Sequence, residues 1–128
     1  MKNEAGFTLI ELLVVITIVL VLSAMASSQY SFYKKESYNS ATNSDFRNAM
    51  LGLEAYEQDN DAYPTCGTTS CVGTLPGFVQ SSGVQVSFSG VAHDSITGVA
   101  CHEKGDMRFV FTGIPGLIVN LRTGPCGA

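Results

Sequence analysis

FTLIELLVVITIVLVLSAMA, residues 7–26, runs for 20 residues with one charge, Glu11. About 20 apolar residues in a helix span the hydrocarbon core of a bilayer. The same pattern fits a helix buried inside a soluble protein. A chain of 128 residues, however, has no core large enough to surround such a helix on all sides. The run is therefore a membrane or export element. Glu11 is its anomaly, since a charged residue within a membrane helix costs roughly 2.5–3.5 kcal/mol at the centre and less toward the end.

Two export readings compete. An ordinary secretory signal peptide would use Leu12 to Leu22 as its apolar region and Ala24-Met25-Ala26 as its cleavage site, releasing a small secreted disulfide domain from Ser27. The front end suits that poorly, because Lys2 is offset by Glu4 and Glu11 has no use in a segment destined for removal. The stretch Gly6-Phe7-Thr8-Leu9-Ile10-Glu11-Leu12-Leu13-Val14-Val15-Ile16 instead resembles the processing site of type IV pilins and related pseudopilins. The resemblance covers the leader Met1–Gly6 and about the next ten residues, and it fixes Gly, Phe and Glu at set spacings before an uninterrupted apolar run. It implies that prepilin peptidase cuts between Gly6 and Phe7 on the cytoplasmic side, that Phe7 is then N-methylated, and that the apolar helix is kept. It also implies that Glu11 sets the axial register of an incoming subunit by neutralising a terminal amine. Helical spacing agrees, since Glu11 lies at i+4 from Phe7 on the same face, and a carboxylate in apolar surroundings needs a partner. Many relatives carry a helix-breaking Gly and Pro farther along; here those positions are Leu20 and Ser28, so the strongest kinking element is absent.

Downstream, no Pro occurs from Gln29 to Gln58, and Gly52 is the only Gly. Phe46, Ala49, Met50, Leu53 and Tyr56 follow an amphipathic helical pattern, which Tyr38 and Thr42 extend upstream. Arg47, Glu54 and Glu57 lie mostly off that face. One helix from Phe7 to about Gln58 is expected, roughly 80 Å long at 1.5 Å per residue. Asp59-Asn60-Asp61 and Tyr63-Pro64 supply its stop. Asp59 and Asp61 lack the further ligands of a calcium loop. The dense aromatics Tyr30, Phe32, Tyr33, Tyr38, Phe46, Tyr56 and Tyr63 read as core packing and membrane-interface anchoring.

After Pro64, Gly and Ser become frequent and short alternating runs appear: Val84 to Phe88, Ile96 to Cys101, Met107 to Phe111 and Leu117 to Leu121. Glu103-Lys104-Gly105-Asp106 and Gly113-Ile114-Pro115-Gly116 read as turns. This spacing predicts an antiparallel meander with one face on the stripe through Phe46, Leu53 and Tyr56. So small a head needs staples, and an exported protein can form disulfides. Cys66, Cys71, Cys101 and Cys126 allow three connectivities. We favour Cys66–Cys71 with Cys101–Cys126; the second resembles the pilin habit of tying a C-terminal segment back to the sheet. With no C-x-x-C pair, zinc is disfavoured. The expected fold is α+β, a long N-terminal helix on a small antiparallel sheet, divided as leader 1–6, transmembrane and filament-core helix 7–28, amphipathic helix 29–60 and disulfide-stapled head 61–128.

No phosphate loop, nucleophile elbow or His-Glu-x-x-His run is present. Cys101 and His102 are neighbours that a strand places on opposite faces. An enzyme, a cofactor and a metal site are therefore not expected. The net charge of −4 and pI near 4.9 disfavour a general nucleic-acid binder. From Pro64 onward Lys104, Arg108 and Arg122 are balanced by Asp94, Glu103 and Asp106, so nucleic acid is not supported as a partner. The resemblance implies a structural pilin subunit, held in the inner membrane and then polymerised into an extracellular filament of identical subunits. Its partners would be prepilin peptidase, an inner-membrane platform and an assembly ATPase. Small size and a simple head favour a major pilin. The alternative is a type II secretion pseudopilin, although the calcium-binding C-terminal segment usual in major pseudopilins is not recognisable here.

Overall fold

The computed structural model describes residues 6–90, 92, 95–113, 118–121 and 124–126. Leader residues 1–5, His93, Asp94, Arg122, residues 114–116 of the expected turn and Leu117 at the start of the expected last strand lie outside these. Helix α1 (Leu9–Asn60) contributes to two compact units that divide after Lys34.

In the first unit α1 exposes every side chain. Its apolar residues occupy the whole circumference rather than a stripe, which is the pattern of a helix solvated by lipid or by copies of itself. Several hydroxyls are spent locally: Thr17 donates to the Val14 carbonyl at 2.8 Å, Ser23 to Val19 at 2.7 Å and Ser28 to Met25 at 3.3 Å. Such back-bonding satisfies groups that are costly in hydrocarbon. The helix continues through Ser28 without interruption.

In the second unit the buried residues of α1 are Asn39, Thr42, Asp45, Phe46, Ala49, Gly52 and Leu53, one helical face that is polar at its start and apolar beyond. Met50 and Tyr56, expected on that face, are only half-buried, because Gly52 takes the central contact. A Cβ at Gly52 would stand 3.1 Å from the Pro76 carbonyl and 3.2 Å from Leu75 Cβ, so the helix accepts a glycine to let that loop approach. The helix ends two residues later than expected, at Asn60, where Asp61 takes a left-handed φ of 52°.

The described strands form one antiparallel sheet in sequence order: β1 (Val84–Ser89), β2 (Thr97–His102), β3 (Arg108–Thr112) and β4 (Val119–Leu121). β2 and β3 lie one residue later than the alternation suggested. Val84, Val86, Phe88, Gly98, Ala100, Phe109 and Phe111 line the buried face, with Phe46 and Phe88 stacked at 5.8 Å between ring centroids. Before β1, an unexpected single turn α2 (Cys71–Thr74) follows Cys66, whose N–H and C=O exchange hydrogen bonds of 3.0 and 2.9 Å with Phe88. That bridge covers the β1 edge, which would otherwise offer unpaired backbone groups. The cysteines form Cys66–Cys71 and Cys101–Cys126.

Two buried polar residues of α1 hold the loops. Asn39 Oδ1 accepts from the Asp106 and Met107 amides at 3.2 Å each, while its Nδ2 donates to Asp106 Oδ1 at 2.7 Å. Asp45 accepts the Ser81 amide at 2.6 Å and the Ser81 hydroxyl at 3.1 Å. Buried polar groups persist when they are paired in this way.

Candidate functional site

The start of α1 carries the chemistry. Thr8 precedes the first helical residue, and Glu11 follows three residues later. The Thr8 amide donates to Glu11 Oε2 at 2.8 Å, the Thr8 hydroxyl donates to the same oxygen at 2.8 Å, and the Glu11 amide donates to Thr8 Oγ1 at 3.3 Å. This is a reciprocal capping box, in which two otherwise orphaned amides at the helix end find side-chain acceptors. Among the described residues Oε1 of Glu11 has no hydrogen-bond partner. One carboxylate oxygen therefore closes the helix, and the other is open to a donor from outside the chain. Sequence reasoning gave Glu11 a role between subunits and overlooked Thr8. The Thr-x-x-Glu spacing ahead of an apolar run was the available signal.

Phe7, Ile10, Glu11, Val14 and Val15 line one shallow apolar groove of about 360 Å³, so Phe7 and Glu11 do share a face. Phe7 is 92% exposed, and Gly6 is exposed too, with room for a Cβ that would meet nothing within 4 Å. A carboxylate with an open oxygen, ringed by exposed aliphatic side chains, is suited to receiving an ammonium that is itself carried on an apolar surface.

The other residues singled out lie in the head. Cys101 and His102 occupy opposite faces of β2: Cys101 bonds Cys126, whereas His102 is buried and stacks on Tyr38 at 4.3 Å. His102 Nδ1 accepts the Lys104 amide at 2.9 Å, which fixes the β2–β3 turn. A Cβ on Gly83 would meet the imidazole at 2.9 Å. These contacts give His102 a packing role. Among the described residues no cluster of His, Cys, Asp and Glu is placed to hold a metal ion.

Residues 1–27 match the model of the prokaryotic N-terminal methylation motif. The chain is 29% identical over 119 residues to the type IV wide pilus major component PilA4 of Thermus thermophilus, covering 91% of this chain and 88% of that protein. It is also 31% identical over 64 residues to the type II secretion system core protein G of Pseudomonas aeruginosa, covering 50% of this chain and 45% of that protein.

Proposed function

We propose that this chain, a homologue of type IV pilins that carries their N-terminal methylation motif, is a structural pilin subunit of a type IV pilus. The observation that carries the reading is the extent of the pilus match, which runs through helix and head alike. The secretion core protein matches over half of this chain and so supports the pseudopilin alternative less far.

In this reading residues 1–6 are a leader that prepilin peptidase removes, and cleavage after Gly6 frees an α-amine on Phe7, which is then methylated. The helical segment 7–28 holds the subunit in the inner membrane and later packs in the filament core. Segment 29–60 bears the disulfide-stapled head 61–128 on the filament exterior. The platform and assembly ATPase move subunits from bilayer to fibre. Because the apolar circumference of the helix suits either medium, transfer exchanges lipid contacts for contacts with other helices. Glu11 keeps Oε2 on its own capping box and offers Oε1 to the ammonium of a neighbouring Phe7. A single contact repeated without closure builds an open fibre. The head's two disulfides, Cys66–Cys71 and Cys101–Cys126, hold it folded outside the cell, and no catalytic step is assigned to it.

Intact mass and N-terminal sequencing of protein sheared from the cell surface test the reading. An N-methylated Phe7 followed through Ala128, with two hydrogens missing per disulfide, is expected in filaments seen by electron microscopy. A chain beginning at Ser27 would remove the assembly helix and refute it. Correct processing without surface filaments would favour the secretion pseudopilus.

A further inference from the structure

The C-terminal end of the first unit carries three exposed aromatic side chains. Tyr30, Phe32 and Tyr33 are 68%, 52% and 67% exposed. At about 100° per residue, Phe32 lies roughly 200° and Tyr33 roughly 300° around the helix from Tyr30. Lys34 falls near Tyr30 and sets its ammonium 5.9 Å from that ring's centre, and Lys35 is next in sequence. A helix that meets one protein partner concentrates its aromatics on one stripe. The three rings span about 160° of the circumference, and Lys34 extends this to about 200°. That is about twice the roughly 100° stripe by which a helix meets one partner, and so they fit a surrounding medium.

The axial position identifies that medium. Tyr30 is 21 residues beyond Leu9, a rise of about 32 Å, and Lys34 lies about 38 Å along. The hydrocarbon core of a bilayer is about 30 Å thick, and about 40–45 Å with its headgroups. If the start of α1 stands at one boundary of the core, these rings fall in the opposite headgroup layer. Tyr is favoured there because its ring is apolar and its hydroxyl is wet. Lysine extends its ammonium outward to phosphate. The residues just before the rings, Ser27, Ser28 and Gln29, already mark the exit from hydrocarbon.

We propose that Tyr30, Phe32, Tyr33 and Lys34, with Lys35 next in sequence, form a headgroup anchor that seats the stored subunit on anionic phospholipid at the outer boundary of its membrane. This rests on the reading of the helix as membrane-held. The anchor sets the depth of the helix, and its lipid contacts are lost when the subunit leaves for the fibre. The neutral aromatic rings by themselves would fix depth alone. The lysines add selectivity for lipids with net negative headgroups.

The chain has no tryptophan, so single replacements report position. The full mature chain, residues 7–128, is reconstituted in vesicles containing lipids brominated at defined depths. Val19→Trp is expected to be quenched most by bromines near the chain ends. Tyr33→Trp is expected to be quenched most by bromines close to the headgroup, with emission shifted to the blue of its value in water. Quenching of Val19→Trp with Tyr33→Trp left unquenched, or quenched deepest, would overturn the anchor while leaving membrane insertion intact. Failure to quench Val19→Trp would overturn insertion and the anchor with it. In the Tyr33→Trp background, the relative binding constant for brominated anionic over brominated zwitterionic lipid is expected to fall by up to about 5-fold per lysine replaced in Lys34→Gln and Lys34→Gln/Lys35→Gln. An unchanged ratio in both would refute recognition of the anionic headgroup.

Discussion

Gly98→Ala probes how the helix is seated on the sheet. Gly98 sits in β2 opposite Phe88 of β1 and Phe111 of β3, and it leaves open the space into which the rings lean. A Cβ there would lie 2.5 Å from Phe88 Cε1, 2.8 Å from Phe88 Cδ1 and 3.1 Å from Phe46 Cε2. Neither ring has room to retreat, since both are buried and stacked on each other. Overpacking of this kind costs about 1–3 kcal/mol, and disturbing the ring pair removes a share of its roughly 0.5–1.5 kcal/mol. Against this, alanine restricts the unfolded chain and returns about 0.4–1 kcal/mol. A net loss of about 1–3 kcal/mol is expected. For a head of this size each kcal/mol shifts the melting midpoint by roughly 4–8 °C. The assay is thermal and denaturant unfolding of the mature chain in detergent with disulfides intact, followed by near-ultraviolet circular dichroism. Phe88→Leu is the control: it should cost less in the Gly98→Ala background than in the parent, because the smaller side chain relieves the clash. Equal or greater stability of Gly98→Ala, or strict additivity with Phe88→Leu, would refute the placement of Phe46 and Phe88 over Gly98.

Glu11→Ala is expected to leave leader removal and methylation largely intact and to lower the yield of sheared filaments; normal yield would count against Glu11 as the intersubunit acceptor. Thr8→Ala removes one half of the capping box, at about 1 kcal/mol of helix-end stability, and Thr8→Ser should restore it, as read by amide exchange at residues 9–12 in micelles. Replacing Cys101 and Cys126 by Ser opens a 25-residue separation, against five for Cys66 and Cys71. The loop-entropy model then predicts a loss of about 3.5 kcal/mol for the first pair and about 2 for the second, so a reversed order of melting temperatures would contradict it. Burial, followed by the charges of Glu57 and Glu54, raises the Tyr63 phenol above its ordinary value of 10.0. Folding thus favours the neutral form: this contribution is full below the unfolded pKa and is lost as pH rises through the folded one. Tyr63→Phe should remove a late component from the ultraviolet titration and flatten the alkaline loss of stability.

The helix and the meander were legible because each repeats one signal many times. An apolar run of 20 residues and alternation at Val84–Phe88 survive small errors of register. What escaped was written once or in polar letters. Asn39 and Asp45 are buried through hydrogen bonds to loops that sequence alone does not bring near, so the apolar stripe was drawn through Met50 and Tyr56 instead. The turn α2 occupies four residues of a Gly- and Thr-containing loop, too few for any period to show. At the helix start, Gly6, Phe7 and Glu11 are singled out by the resemblance to the pilin processing site, whereas Thr8 is hidden by its neighbour, since an acidic residue in an apolar helix invites a search for a distant partner before a local one.

That local partner changes how the glutamate is understood. A carboxylate whose only use were an intermolecular contact would stand in the membrane without a donor until assembly, and the cost of that wait would fall on every stored subunit. The capping box supplies two donors from Thr8 to one oxygen in the isolated chain. The remaining oxygen then needs one further donor, and an ammonium arriving with another helix satisfies it without dismantling the helix end. On the proposed reading, storage and assembly draw on different atoms of the same side chain. A glutamine at this position keeps an acceptor for the cap but weakens the attraction for an ammonium. Glu11→Gln should accordingly retain the amide protection of the helix start while losing filament yield almost as far as Glu11→Ala. Loss of both together in Glu11→Gln would show that the two roles are not separable.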